Sequence, residues 1–212
     1  MARKKTTREK PANQPSAPPS ATAGGVGSGA KPMRGRIIAI ALAVLAVAGA
    51  GWWIVDQGRA ERDFLELAAD GGAALTRIEN PPSQGRGHLA PGQRVTYRSD
   101  PPTSGIHDRT WVEPGFYDQP QASTQLVHAL EHGNIVIYYD RPGAGGLATL
   151  RGWTDLYRGR FSGVVAVARP GLDKKIILSA WKRILRQDTL DAAGAAAFID
   201  KYRGRGPEHP VR

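Results

Sequence analysis

The densest chemistry in the sequence is the run His128-Ala129-Leu130-Glu131-His132. On a helix, His128 and His132 stand at i and i+4, one turn apart on a single face, and Glu131 flanks that face. Two imidazoles and a carboxylate at this spacing can reach one cation. Leu126, Val127 and Leu130 occupy another side and would anchor the helix in a core. His107 follows Pro101-Pro102-Thr103-Ser104-Gly105-Ile106, whose prolines and glycine can hold a loop rigidly against a helix. A site of His107, His128 and His132, with Glu131 as fourth ligand or as support behind the ligands, suits zinc or copper(II). The alternative is purely structural: Glu131 as an ion-pair partner, His132 as a cation favoured at a helix C-terminus, and His128 as a hydrogen-bonded core residue. The remaining two of the five histidines, His88 and His209, fall in loop-like sequence.

The pattern H-x-x-E-H is also that of inverted zinc metallopeptidases, where both histidines bind zinc and the glutamate is the general base. Such a centre needs a further acidic ligand, and the only Glu after Glu131 is Glu208, in the non-helical Arg205-Gly206-Pro207-Glu208-His209-Pro210. The helix stops at Gly133, which leaves no room for a long active-site helix. Ser104 and His107 lack the strand–elbow–helix context of G-x-S-x-G and read as turn formers. Tyr138, Tyr139, Trp153 and Trp181 read as core. The chain has no cysteine, which excludes disulfides, Cys-ligated zinc, iron–sulfur clusters and thiol catalysis.

The elements that must position these residues follow from local pattern. Ser123 is a suitable cap for a helix ending at His132. Ile135 to Tyr139 (IVIYY) predicts a buried strand, and Gly163 to Ala168 and Lys175 to Trp181 predict two more. Leu147, Leu150, Trp153 and Tyr157 share helical spacing, giving a helix over about 147–158. Asp188 or Thr189 would cap a last helix over about 190–203. The order from Ser123 is αβαββα, and the Pro170-Gly171 link allows the last two strands to form a hairpin. The fold class is therefore α+β, with a small mixed sheet. The βαββα portion resembles the C-terminal half of thioredoxin-like folds, without the CxxC that their redox chemistry needs. Arg94 to Tyr97 reads as a short strand, and 99–120, with four prolines, as a structured loop.

Ile37 to Val55 (IIAIALAVLAVAGAGWWIV) is 19 residues without a charge. A helix of that length spans roughly 28 Å, close to a hydrocarbon core of about 30 Å. Trp52 and Trp53 sit at its end, where indoles favour the interface. Lys31, Arg34 and Arg36 precede it, and the mixed-sign Asp56, Arg59, Glu61, Arg62 and Asp63 follow. Positive flanks stay in the cytoplasm, so the N-terminus is expected inside and the rest outside the cell membrane, as a single-pass protein. Ala46-Val47-Ala48 offers a cleavage pattern, but apolar character continues past it, and an uncleaved anchor is the preferred reading. Residues 1–36 hold eight Lys/Arg against Glu9 alone, with few large apolar residues, and are expected to be a disordered cytoplasmic tail. Most of the formal charge of +10 therefore belongs to that tail. The later part is nearly balanced, which argues against a nucleic-acid partner and leaves the lipid bilayer as the expected one. Residues 56–92 read as a stalk helix, ended by Asp70-Gly71-Gly72, and a linker; 93–208 as the external domain; 209–212 as a tail.

These motifs together resemble a bacterial family, domain-of-unknown-function family 3105. The matching stretches are Pro101-Pro102-Thr103-Ser104-Gly105 with His107, Gly115-Phe116-Tyr117-Asp118, Leu126 to Gly133, Ala180-Trp181 and Tyr202 to Glu208. The resemblance covers roughly residues 95–208 and implies an N-terminal anchor before the domain; it implies no reaction. The sequence thus points to a membrane-tethered external domain, non-enzymatic and binding a divalent metal through His107, His128, Glu131 and His132. A zinc hydrolase with Glu131 as base, and a structural module of an envelope assembly with unidentified protein partners, are the alternatives.

Overall fold

The computed structural model describes residues 33–172 and 175–212, so the expected disordered tail lies outside the described residues up to position 32. The chain divides into two compact units, Met1–Val47 and Ala48–Arg212. A single α-helix, α1, runs over Met33–Asp70. It is long and apolar enough to cross a membrane, and its apolar side chains from Ile37 to Val55 are exposed, as a lipid-facing segment requires. Helical backbone begins at Met33, inside the expected tail.

The second unit is α+β. After a short 3₁₀ turn at Gly72–Arg77 come β1 (Gly115–Tyr117), α2 (Ser123–His132), β2 (Ile135–Tyr139), α3 (Gly143–Leu156), β3 (Val164–Ala168), β4 (Ile176–Ala180), β5 (Arg183–Gln187) and α4 (Ala192–Tyr202). The sheet order is β1-β3-β2-β4-β5. β2 is parallel to β3, as the α3 crossover between them demands, and antiparallel to β4 on its other side.

Alternate side chains of each strand enter two cores. Ile135, Ile137, Val164, Ala166, Ile176 and Leu178 pack with Leu150 and Trp153 of α3 and Phe198 and Ile199 of α4. Val136, Tyr138, Val165, Val167 and Ile177 pack with Leu126 and Leu130 of α2. With both faces covered, the central strands are continuous apolar runs rather than alternating ones.

Several expectations need correction. β3 and β4 do not form a hairpin; β2 lies between them, and β4 turns instead into β5. β5 adds a strand before the last helix, and β1 adds one inside the stretch expected to be loop. Arg94 to Tyr97 is not a strand. α4 starts later than expected and is capped by Asp191, whose carboxylate accepts from the Gly194 amide. The segment read as stalk and linker contributes Phe64, Ala68 and Ala74 to the first core.

Candidate metal centre

α2 delivers its histidines from a buried helix end. Gly133 closes the helix in the left-handed conformation, its amide bonded back to the last turn. The final turn is sealed in the domain: His128, Glu131 and His132 are all buried. His128 Nδ1 lies 2.8 Å from the Asp108 carbonyl oxygen. A carbonyl only accepts, so Nδ1 carries the proton and Nε2 is left with its lone pair.

His107 repeats this arrangement from the loop. It is fully buried, and its Nδ1 donates to the Gly105 carbonyl at 2.9 Å. Gly105 has a φ of +126°, and a Cβ there would come within 3.0 Å of the Tyr97 ring; glycine lets the chain turn tightly enough to aim its carbonyl at the ring two residues on. His107 Nε2 is thus also a bare lone pair. It lies 3.1 Å from Glu131 Oε2 but out of hydrogen-bond alignment, and it has no hydrogen-bond partner. Both rings therefore show the pattern of ligating histidines, with one nitrogen fixed on a backbone oxygen and the other free.

The structure brings in two further residues. His88 sits beside His107 because two irregular segments pair along their backbones: the His107 amide donates to the Gly87 carbonyl at 2.9 Å, and the Leu89 amide to the His107 carbonyl at 2.7 Å. The His88 ring stands 5.3 Å from that of His107 and 5.2 Å from that of His128, and His107 and His128 are 4.7 Å apart, all centroid to centroid. Glu208 arrives on the C-terminal strap. The Glu208 amide bonds to the Glu131 carbonyl and the Gly204 amide to the Gly133 carbonyl, which sets Glu208 Oε2 2.9 Å from His132 Nε2. Trp111 lies against both His128 and His132, with the Arg160 guanidinium over the indole ring at 4.5 Å from its centre.

Among the described residues two groups result: His88, His107 and His128, and His128, His132 and Glu208, each with ligand atoms within 4.8 Å of one another. A tetrahedral ion with bonds of about 2.1 Å spaces its ligands about 3.4 Å apart, so modest ring rotations would close either group. The electrostatics favour neutral donors. Burial lowers the pKa of His107 and His128, the latter also through neighbouring His107, and lowers that of His132 to about 4. Burial and Glu208 raise the pKa of Glu131.

The sequence-derived set of His107, His128, Glu131 and His132 is thus brought to one place, but not as one ligand shell: His107 and His132 belong to different groups, and Glu131 is in neither. In the sequence His88 falls in a stretch of linker composition, and Glu208 stands out only as a distant acid. The residues that build this centre, from His88 to the C-terminal strap, coincide with a family model of proteins of unknown function, DUF3105, matched over residues 88–212. The chain belongs to this family. DUF3105 describes no activity, so the centre has to be interpreted from its own geometry. Comparison with curated proteins and with solved structures gave no match.

Proposed function

We propose that this DUF3105 protein is a membrane-anchored extracytoplasmic domain that binds a borderline divalent cation, zinc or copper(II). The anchor is α1, whose cationic N-terminal flank, Lys31, Arg34 and Arg36, stays in the cytoplasm and leaves the histidine-bearing unit outside the cell membrane. One observation carries the metal reading: His107 and His128 each spend Nδ1 on a backbone carbonyl, and each keeps Nε2 for a ligand close to His88. Imidazole-rich donors favour zinc and copper over calcium and magnesium. The ligands are buried except for His88 and Glu208, an arrangement suited to holding an ion. The test is titration of the untagged full-length chain in detergent with Zn²⁺ and Cu²⁺. Stoichiometric binding, abolished by His107→Ala with His128→Ala, is the expected result; no stoichiometric binding in the wild type, or binding untouched by that pair, rejects the proposal.

A second reading has its own observation. His128, His132 and Glu208 form the two-histidine, one-carboxylate set of a hydrolytic zinc site, with Glu131 nearby to act as base. Burial of Glu131 and both imidazoles restricts the approach of a peptide carbonyl, which ranks this reading second. Metal-dependent turnover abolished by Glu131→Gln, with metal retained, would promote it.

A further inference from the structure

The two ligand groups share one residue, His128. Its Nδ1 is engaged by the Asp108 carbonyl at 2.8 Å, so it has a single lone pair to give, on Nε2. One lone pair binds one cation. The groups therefore cannot both be complete at once, and a protein with two full sites is not what this geometry builds.

We propose that His128 is a pivot between two alternative positions for a single divalent cation, one completed by His88 and His107, the other by His132 and Glu208. This rests on the metal-binding reading above. Each position joins buried imidazoles to one solvent-exposed group, His88 in the first and Glu208 in the second. An ion reaching His88 from solvent can pass to His128, exchange His88 and His107 for His132 and Glu208, and leave through the exposed carboxylate, or take the reverse path. At each stage the ion keeps the His128 bond, so full dehydration and release are not required in the interior. The two positions also differ in donor charge. The first offers three neutral imidazoles, the second two imidazoles and a carboxylate, so the second favours the harder ion and the first the softer. His132 Nε2 and Glu208 Oε2 are 2.9 Å apart, an ion-pair distance that would open to about 3.4 Å around a tetrahedral ion. The role that follows is acceptance and hand-over of the cation.

Cu²⁺ is the probe, with the untagged full-length chain in detergent and electron paramagnetic resonance as readout. The wild type is expected to take one equivalent. Its spectrum should be a sum of two components, and pulsed measurements should count an imidazole number between two and three. His132→Ala with Glu208→Gln should leave only the three-imidazole component, and His88→Ala with His107→Ala only the two-imidazole one, each with at least tenfold weaker binding. Two equivalents bound by the wild type with similar affinity would overturn the pivot while leaving metal binding intact. So would a wild-type spectrum holding one component alone, a result that needs no variant to fold. Failure of the wild type to bind Cu²⁺ or Zn²⁺ at all would remove the metal reading and the pivot together.

Discussion

His107 and Glu131 face each other in the domain interior with Nε2 and Oε2 3.1 Å apart and not aligned for a hydrogen bond. The Nδ1 proton of His107 is committed to the Gly105 carbonyl, so a neutral imidazole meets the carboxylate lone pair to lone pair. In a buried setting such a contact is unfavourable until a proton or a cation joins it. The pKa of Glu131 is raised by burial and by the neighbouring carboxylate of Glu208.

Replacing Glu131 by Gln should therefore separate the metal-binding and hydrolytic readings. The amide can donate to His107 Nε2 and quench the free lone pair without changing shape. Thermal stability in chelator should hold or rise, while Zn²⁺ affinity falls about 10-fold, because the ion has to displace the new amide hydrogen bond from the ligand lone pair. Melting curves with and without chelator, alongside a Zn²⁺ titration, check this. Unchanged affinity would show that Glu131 stands apart from the ion.

Metal should also stabilise the fold, because the ligands come together only when the loop, α2 and the C-terminal strap are in place. A cation at 100 times its dissociation constant adds about 2.7 kcal/mol. For a unit of this size that is a rise in Tm of roughly 5 to 10 °C, reversed by chelator. Scanning calorimetry with Zn²⁺, and with Mg²⁺ as the oxygen-seeking control, measures it. Equal shifts with both ions would contradict an imidazole site.

The features legible in the sequence are those in which a local pattern coincides with burial. Ile135 to Tyr139 and Val164 to Ala168 stand out because both faces of each strand are covered. Gly133 marks the end of α2 because the left-handed turn there suits glycine. β5 escaped notice because Arg183, Arg186 and Gln187 break its apolar pattern, Arg186 being held at the sheet edge by Glu79. β1 is only three residues long. Phe64 and Ala68 share one side of the helix, but the helix pattern alone does not say what covers them. In the site, the helical pair His128 and His132 was visible from spacing. His88 was not, because backbone pairing between two irregular segments places it beside His107 and leaves no periodic trace.

Asn134 ties the histidine-bearing helix α2 to the sheet. It is fully buried, and its Oδ1 accepts from the Gly163 amide at 2.7 Å, at the entrance to β3. Asn134→Ala leaves that amide without a partner and should cost about 1–3 kcal/mol. The expected sign is a lower Tm in chelator, with the Zn²⁺ stoichiometry kept once the protein is folded. A Tm equal to that of the wild type would mean that the Gly163 amide finds another acceptor.

Gly206 offers the sharpest structural test of how Glu208 is delivered. The C-terminal strap crosses the end of α2 so closely that a Cβ at this position would lie 2.2 Å from both the Glu131 carbonyl oxygen and the Gly133 amide nitrogen. Neither is a flexible side chain, so Gly206→Ala has to lift the strap, with overpacking of about 1–3 kcal/mol. Lifting it breaks the bond from the Glu208 amide to the Glu131 carbonyl and withdraws the carboxylate from His132. No ligand residue is altered. The expected result is a lower Tm, together with loss of the carboxylate-bearing copper component and retention of the three-imidazole one. A variant that loses both components equally would show that the strap supports the whole centre. One that keeps the carboxylate component would show that Glu208 reaches His132 without the close crossing at Gly206.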